Sequence, residues 1–199
     1  MPREALEQAL SAYPKTVALK GRRYTIRVMT TADGDALMQF ARALPAHDRL
    51  YMRRDLTSER GIGSWVEDIE QGVIHSLLAI DESGVAGFST IHLNSLEWTR
   101  HVADIRVATA ERTRRTGLGR YLAREGFNVA LALDIEKLLA RMTPDQEGAR
   151  ILFEELGFTP EALLKDYVKD REGQLHDMLI KGCNVQDFLS RRAAYGLEQ

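Results

Sequence analysis

Short runs in which apolar residues predominate, or alternate with polar ones, recur along the chain between turn residues, a pattern typical of β-strands. Two turns, Asp81-Glu82-Ser83-Gly84 and Arg171-Glu172-Gly173, separate consecutive runs and predict hairpins. The segments predicted as strands are 16–29 (two strands around a Lys20-Gly21 turn), 73–80, 85–93, 101–109, 137–142, 163–170 and 174–181.

Apolar positions spaced as on a helix predict helices between these strands. One helix begins at Thr31, presents an apolar stripe and ends at Pro45; its stripe is Leu37, Phe40, Ala41 and Leu44. A Ser64–Glu67 capping box predicts the start of a second helix, which Gly72 closes. A third is predicted from Gly119 to about Leu133, and the tail from Asn184 predicts a terminal helix.

A further helix is predicted to begin at Thr143, with Pro144 at its first position and Gln146 completing a capping box. Its apolar stripe is Ala149, Leu152, Phe153 and Leu156, and Gly157 ends it. Strands before, between and after helices predict an α/β or α+β layer fold, in which a mixed sheet carries helices on both faces.

Composition indicates an ordinary globular protein: 44% of its 199 residues are hydrophobic and 28% are charged. No repeat or Pro/Gly linker interrupts the chain, which predicts one domain over 1–199 with peripheral segments at 1–15 and 184–199. The net charge of −2 argues against a broad nucleic-acid surface, so we expect no nucleic-acid partner.

Features that the sequence lacks indicate the cellular location of the protein and the ligands that it does not bind. The one cysteine, Cys183, cannot form an internal disulfide, which favours a reduced, cytoplasmic location. The opening "MPREALEQAL" lacks the features of a signal peptide, and no run is long enough to span a bilayer, so we expect no membrane association. The histidines at 75, 92, 101 and 176 form no metal-ligand pattern, and we expect no metal.

The segment "RRTGLGR" at 114–120 follows a predicted strand and opens a predicted helix. Helix N-termini bind phosphate through unpaired N–H groups, and Gly117 and Gly119 have no side chains to keep a ligand away. The alternative is a plain helix start with solvated arginines. The resemblance to a P-loop is weak because no Gly-Lys-Ser/Thr follows, and the resemblance to the dinucleotide fingerprint is weak because Leu122 stands where the third glycine is required.

Arg114-x-x-Gly117-x-Gly119 resembles the pyrophosphate loop of the GCN5-related N-acetyltransferases (GNAT). The segment "EGARILFEELGF" at 147–158 is similar to that family's following motif, a helix ending in Leu-Gly-Phe. The order of elements from about Tyr24 to Lys181 also agrees with that of the family.

The resemblance implies a mostly antiparallel GNAT sheet in which two parallel strands, 101–109 and 137–142, splay apart around acetyl-CoA. The pantetheine arm would pair with the first strand, and the diphosphate would lie on 114–119. The family's asparagine near the next helix is replaced by Gln146, which caps that helix or reaches the cofactor. The residues implied in cofactor binding are Val107, Ala108, Thr109, Arg114, Arg115, Thr116, Gly117, Leu118, Gly119, Arg120 and Gln146.

The resemblance also implies direct transfer of an acetyl group from acetyl-CoA to a primary amine, on a small molecule or a protein lysine. Asp104 lies where histone-acetylating members carry a glutamate that acts as general base. A structural role for Asp104 as an ion-pair partner of Arg106, Arg100 or His101 stays open. The family's tyrosine that protonates the leaving thiolate is replaced by Phe153, and nothing in the sequence selects Tyr121 or Tyr167 as a substitute.

Two other functions stay open from the sequence. Phe153 favours a non-catalytic module that senses acyl-CoA, and the loop could hold a different nucleotide diphosphate. In the segment 46–55, Arg49, Tyr51, Arg53 and Arg54 either face a carboxylate-bearing acceptor or form a solvated basic loop. The tail from Asn184, with Phe188, Leu189 and Tyr195, packs on its own domain or on a second subunit of a homodimer.

Overall fold

Eight strands form one mixed sheet in the computed structural model, which describes residues 2–50 and 52–194. The strands are β1 Lys15–Leu19, β2 Arg22–Val28, β3 Ile74–Asp81, β4 Gly84–Leu93, β5 Val102–Thr109, β6 Lys137–Met142, β7 Thr159–Lys169 and β8 Leu175–Asn184. Their order across the sheet is β1-β2-β3-β4-β5-β6-β8-β7, and each neighbouring pair is antiparallel except β5 with β6.

Helices cover both faces of this sheet, each face with its own buried apolar cluster. The helices are α1 Pro2–Ser11, α2 Gly34–Ala43, α3 Ala46–Arg49, α4 Glu59–Glu70, α5 Leu118–Ala132, α6 Glu147–Glu155 and α7 Val185–Ala194. Residues of α5 and α6 belong to one cluster, and residues of α2 and α4 belong to the other. The predicted mixed, mostly antiparallel sheet with helices on both faces and two parallel strands is confirmed.

The predicted hairpins are confirmed, and the turn residues explain why. Lys20 and Gly21 have φ angles of 46° and 78° between β1 and β2, and Gly84 and Gly173 have φ angles of 101° and 86° in the two later turns. Positive φ is the left-handed region that glycine adopts without steric cost, so these turns are encoded locally.

The prediction that the second helix starts at Ser64 is wrong, because α4 begins at Glu59. Ser58 is its N-cap, and the hydroxyl of Ser58 accepts a hydrogen bond from the N–H of Gly61 at 3.1 Å. A Cβ at Gly61 would lie 2.0 Å from the carbonyl oxygen of Asp55. The glycine is therefore required by the close approach of the preceding turn and does not mark a loop.

The prediction that a helix starts at Thr143 is also wrong, because α6 begins at Glu147. Residues 143–146 form a turn in which Gln146 N–H donates to the carbonyl of Thr143 at 3.2 Å. Gln146 is the N-cap residue, but its side chain makes no capping hydrogen bond, so the predicted capping box is absent. The Thr143 hydroxyl instead bonds the Asp145 side chain.

The described parts of both terminal segments pack against the core. Helix α1, which the sequence analysis did not predict, places Leu6 and Leu10 against the cluster that contains α5. The predicted terminal helix is confirmed as α7, where the ring of Phe188 stacks on that of Phe127 at 4.2 Å. Tyr195 lies outside the described residues.

Helix α5 crosses the sheet very closely at Gly126. A Cβ there would lie 2.4 Å from Ser89 Oγ and 3.0 Å from Ile105 Cδ1. This approach fixes the height of α5 above β4 and β5, and so fixes where the turn that precedes α5 leaves the sheet.

We predict that Gly126→Ala lowers the free energy of unfolding by about 1–2 kcal/mol, because overpacking outweighs the gain in helix propensity. Gly63→Ala is the matched control, since Gly63 lies within α4 with no atom near its missing Cβ. That change should raise the free energy of unfolding by roughly 0.5–1 kcal/mol. Urea denaturation measures both, and a Gly126→Ala protein as stable as wild type would contradict the close packing.

Candidate functional site

An opening forms in the sheet where β5 and β6 separate. The two strands pair in parallel across only three positions, from Val102 with Lys137 to Asp104 with Leu139. Beyond these pairs, β5 stays paired with β4 on its other side, and β6 stays paired with β8. The strands therefore diverge from Asp104 onward and leave backbone groups between them without a strand partner.

Alternate residues of β5 direct their backbone groups into this opening. The carbonyl of His101 accepts a hydrogen bond from Lys137 N–H on the β6 side at 3.1 Å. Successive residues of a strand point their N–H and C=O groups to opposite edges, so Val107 and Thr109 direct theirs into the opening. Ala108 directs its own toward β4.

The turn between β5 and α5 exposes backbone N–H groups beside the opening. Within the described residues, nothing accepts a hydrogen bond from the N–H of Gly117, Gly119 or Arg120. Gly117 has a φ of 92°. A Cβ at Gly119 would lie 3.7 Å from Thr109 Cγ2 and 3.8 Å from Leu152 Cδ2, so Gly119 lies between the end of β5 and α6.

Positive charge surrounds this turn, and part of it is already paired. Arg114 forms an ion pair with Asp48, and Arg120 forms one with Glu155. Arg115 makes no ion pair with a described residue, and its carbonyl accepts a hydrogen bond from Lys20 Nζ at 2.7 Å. Lys20 of the β1–β2 turn thus holds the backbone of this turn in place.

Helix α3 is tied to the ends of both diverging strands. Asp48 pairs with Arg114, which follows β5. His47 Nε2 lies 3.2 Å from Asp145 Oδ2 and 3.5 Å from Thr143 Oγ1, both of which follow β6. The connection between α2 and α4 therefore spans the wide end of the opening.

Asp104 occupies the last paired position of β5, at the narrow end of the opening. Its Oδ1 accepts a hydrogen bond from Arg141 Nε at 2.8 Å, and its Oδ2 lies 4.0 Å from Arg53 Nη1. Arg141 belongs to β6, so this ion pair joins the two strands where they part. The ion-pair partners of Asp104 are therefore Arg141 and Arg53, and not Arg100 or His101, two partners that the sequence analysis considered.

A cavity of about 390 Å³ lies beside Asp104. Its walls come from the end of β4, the first residues of β5, part of β6, the segment that precedes α4, and α4 with the turn after it. The charged and imidazole side chains that line it are Arg53, Arg54, Asp68, His92, Asp104 and Arg141. Tyr51 of the predicted basic segment lies outside the described residues.

The match to known families is consistent with this arrangement of strands. Residues 36–158, more than half of the chain, match the Acetyltransferase (GNAT) family. The chain belongs to the GNAT family of acetyltransferases. No curated protein sequence matches it.

Solved structures share the fold of this GNAT chain at low sequence identity. A GNAT acetyltransferase of Streptococcus pneumoniae is 20% identical, with a TM-score of 0.69 over 81% of this chain and 99% of that one. Ribosomal-protein-alanine N-acetyltransferase of Brucella melitensis is 23% identical, with a TM-score of 0.68 over 80% and 98%. The yncA protein of Salmonella typhimurium, solved with its cofactor acetyl-CoA, is 21% identical, with a TM-score of 0.68 over 81% and 94%.

The tyrosine that many GNAT members carry on the helix after the second splayed strand is absent from α6 of this chain. Phe153 holds that position and is only 5% exposed, with its ring centroid 4.9 Å from that of Phe158. The Tyr121 side chain bonds Glu125, and Tyr167 is 58% exposed on β7. The structure therefore points to neither hydroxyl as a proton donor at the opening.

Sequence reasoning named Arg53 and Arg54, which line this cavity, but missed Arg141 and His92 beside Asp104 and Asp48 at the wide end of the opening. In the sequence, Arg141 is only a charged residue within the short apolar strand "KLLARM", and His92 is only a histidine without a metal-ligand pattern. Asp48 gave no signal at all, because its partner Arg114 lies 66 positions away. Contacts between distant segments leave no periodic trace in sequence.

Neither a membrane-spanning helix nor a metal-ion cluster occurs in the part of the chain that the structure describes. Across residues 2–50 and 52–194, no helix is long and apolar enough to cross a membrane. The same residues contain no cluster of three or more histidine, cysteine, aspartate or glutamate side chains placed to hold a metal ion.

The imidazole of His92 is buried near three arginines, Arg53, Arg54 and Arg106. Its side chain lies opposite Asp104 in the β4–β5 register, is only 4% exposed and packs edge-on against Trp65. Burial, and then the charges of nearby arginines including Arg106, lower the pKa of His92 to about 2. The imidazole is therefore uncharged in the folded protein at neutral pH.

We predict that this uncharged imidazole makes the protein less stable in acid. The unfolded chain binds a proton at His92 below about pH 6.5, whereas the folded protein does not, so the stability is present above that pH and lost below it. The loss from this one group approaches about 1.4 kcal/mol per pH unit below that value. Urea denaturation at pH values from about 7 to 5 measures it.

His92→Gln should flatten this dependence, because glutamine does not titrate. A smaller slope should remain, since burial also lowers the pKa of His75. His101→Gln is the matched control, at an exposed histidine in the turn before β5. Equal pH dependence in wild type and His92→Gln would contradict the buried, uncharged state.

Proposed function

We propose that the protein transfers an acetyl group from acetyl-CoA to a primary amine by direct attack of the amine on the thioester. The observation that carries this proposal is the parallel β5–β6 pair that separates after Asp104, with the unpaired N–H groups of Gly117 and Gly119 at its wide end. Membership of the GNAT family and the acetyl-CoA in the structure of yncA support it.

The residues of the turn fit a diphosphate. Three N–H groups lack an acceptor among the described residues, and positive φ at Gly117 holds the backbone in the curve that presents them. Arg115 adds a positive charge that no described carboxylate neutralises. We therefore propose that 114–120, through Arg114, Arg115, Thr116, Gly117, Leu118, Gly119 and Arg120, holds the diphosphate of coenzyme A.

The open edge of β5 fits the pantetheine arm. Val107 and Thr109 direct backbone groups into the opening, which allows an extended ligand to pair there as an added strand would. Ala108 would contribute only its side chain, because its backbone groups point to β4. Gln146 makes no capping hydrogen bond, so its amide stays a candidate contact.

Acetyl-CoA would supply a thioester carbon at which the new N–C bond forms while the C–S bond breaks and the thiolate leaves. The attacking ammonium must first lose a proton, and its nitrogen releases a second proton to solvent as the amide forms. Asp104 Oδ2 accepts no hydrogen bond from a described residue, so we propose that it holds the ammonium and receives this proton, directly or through water. Arg141 would keep the carboxylate oriented through Oδ1.

One observation favours a second function. Phe153 is buried in the core where other family members carry a tyrosine, so no hydroxyl of α6 reaches the leaving thiolate. This would suit a module that binds acyl-CoA without turnover. A thiol pKa of about 8.5 makes the thiolate a tolerable leaving group without an acid, however, and we favour the enzyme.

Three broader features of the proposal remain predictions. We propose that the chain forms one acyltransferase domain over 1–199, with peripheral segments at 1–15 and 184–199. A cytoplasmic location rests on the single cysteine. A homodimer is also a prediction, although Phe188 of the C-terminal segment packs on its own domain, and size-exclusion chromatography with light scattering measures the mass.

Release of CoA thiol from acetyl-CoA, with and without added amines, tests the function. We predict amine-dependent release, reduced by roughly 10²-fold in kcat/KM by Asp104→Asn, the low end of the range for a lost general base. Thermal stabilisation by CoA should be equal in the two proteins. Asp35→Asn, at an exposed position on α2, is the control and should have no effect.

Each outcome of this experiment has a distinct meaning. Equal release by wild type and Asp104→Asn would remove Asp104 from the reaction. Stabilisation by CoA without release for any amine would favour the sensing module. Stabilisation by ATP or NAD but not by CoA would assign the loop to a different nucleotide diphosphate.

A further inference from the structure

The cavity beside Asp104 has an excess of positive charge. Three arginines and two aspartates line it, and a fourth arginine, Arg106, lies two residues beyond Asp104 on the same face of β5. The positive charges of this group thus exceed the negative charges by two. The lining arginines are Arg53, Arg54 and Arg141, and the aspartates are Asp68 and Asp104.

Most hydrogen-bond donors in this cluster are not used within the described residues. Arg54 is satisfied by Asp68, to which it donates from Nε at 2.9 Å and from Nη2 at 2.5 Å. Arg141 uses only Nε, and Arg53 makes no hydrogen bond to a described residue. The guanidinium ends of Arg53 and Arg141 are therefore available to an anion in the cavity.

Two buried nitrogens of this region also lack partners. His92 is 4% exposed and lines the cavity, and its Nε2 makes no hydrogen bond within the described part of the chain. Arg106 Nε is likewise buried without an acceptor. Buried polar groups are normally hydrogen-bonded, so the unpartnered Nε2 of His92, which lines the cavity, marks a place where a ligand supplies the missing partner.

We propose that this cavity binds the carboxylate of the acceptor, so that the substrate is a small amine that also carries a carboxylate group, as amino acids do. This inference rests on the proposed function, because it names the acceptor of the same reaction. The planar fork of a guanidinium matches a carboxylate in a bidentate manner. Asp104, at one wall of the cavity, is placed to hold the ammonium of the same molecule.

The size and charge of the cavity favour this acceptor over other amines. A volume of about 390 Å³ is at the small end of ligand pockets, which run from roughly 300 to 1,000 Å³. A polyamine brings several positive charges and no negative one into a cluster that is already positive. A lysine side chain of a protein likewise brings an ammonium without a carboxylate.

The anion site can be tested without the reaction, with succinate as a carboxylate probe that has no amine. Calorimetric titration of the wild-type protein should show saturable binding. Arg53→Gln should weaken it roughly tenfold or more, as expected for the loss of a charge-assisted hydrogen bond, and Arg53→Lys should recover part of it. Arg60→Gln is the matched control, because Arg60 is exposed on α4 outside the cavity and should leave binding unchanged.

The same variants then test the acceptor by thiol release from acetyl-CoA. The panel is glycine, leucine and glutamate, each with its carboxamide, together with spermidine and a peptide that carries an internal lysine. We expect the amino acids to be preferred, and Arg53→Gln to raise their KM roughly tenfold without raising that of the carboxamides. Arg60→Gln should match wild type with every amine.

The outcomes separate this inference from the proposed function. Absence of succinate binding, or equal loss of binding in Arg60→Gln, would overturn the anion site. Equal or better use of carboxamides, spermidine or the peptide would overturn the acceptor class while the acetyltransferase function stands. If no amine increases thiol release, the proposed function fails, and the succinate titration alone decides whether the cavity binds carboxylates.

Discussion

The parallel pairing of β5 with β6 ends after Asp104 and Leu139, and beyond that point a strand in the middle of the sheet has one edge that no strand covers. An interior edge is costly when its N–H and C=O groups stay unpaired, because backbone polar groups need a partner. The rest of the candidate site is organised around this edge. The turn with Gly117 and Gly119 follows β5 at its wide end, and Asp104 lies at its narrow end.

Different ion pairs fix the narrow end and the wide end of the opening. At the narrow end, the Asp104–Arg141 ion pair joins β5 to β6 where they diverge. At the wide end, helix α3 contacts the segment that follows each strand, through Asp48 to Arg114 and through His47 to Asp145. A cofactor that competes for Arg114 would therefore also act on α3, which connects to the segment with Arg53.

The sequence was sufficient for the features that depend on local chemistry. The strands follow from apolar alternation, and the hairpin turns and the turn before α5 follow from glycines at left-handed positions, among them Gly117. The starts of α4 and α6 were predicted wrongly, because a capping sequence alone does not determine where a helix begins. At Ser64 the helix had already begun, and the Thr143 hydroxyl bonds Asp145 instead of capping.

The chemistry around Asp104 could not be predicted, since it depends on long-range contacts. Arg141 is 37 positions from Asp104, and Arg53 reaches the same carboxylate from a different segment. His92 gave the ordinary signal of a core histidine in an apolar strand. Only the register of β4 against β5 shows that it lies opposite Asp104 and lines a cavity.

Backbone amide chemical shifts, recorded by NMR with and without CoA, test the central claim most directly. The account predicts that CoA shifts the amide signals of Val107, Thr109, Gly117, Gly119 and Arg120, because their N–H groups would bond the ligand. Amides of β1 and β7, at the two edges of the sheet, should not move. Shifts confined to other parts of the chain, with the signals of 107–120 unchanged, would contradict the assignment of this opening as the CoA site.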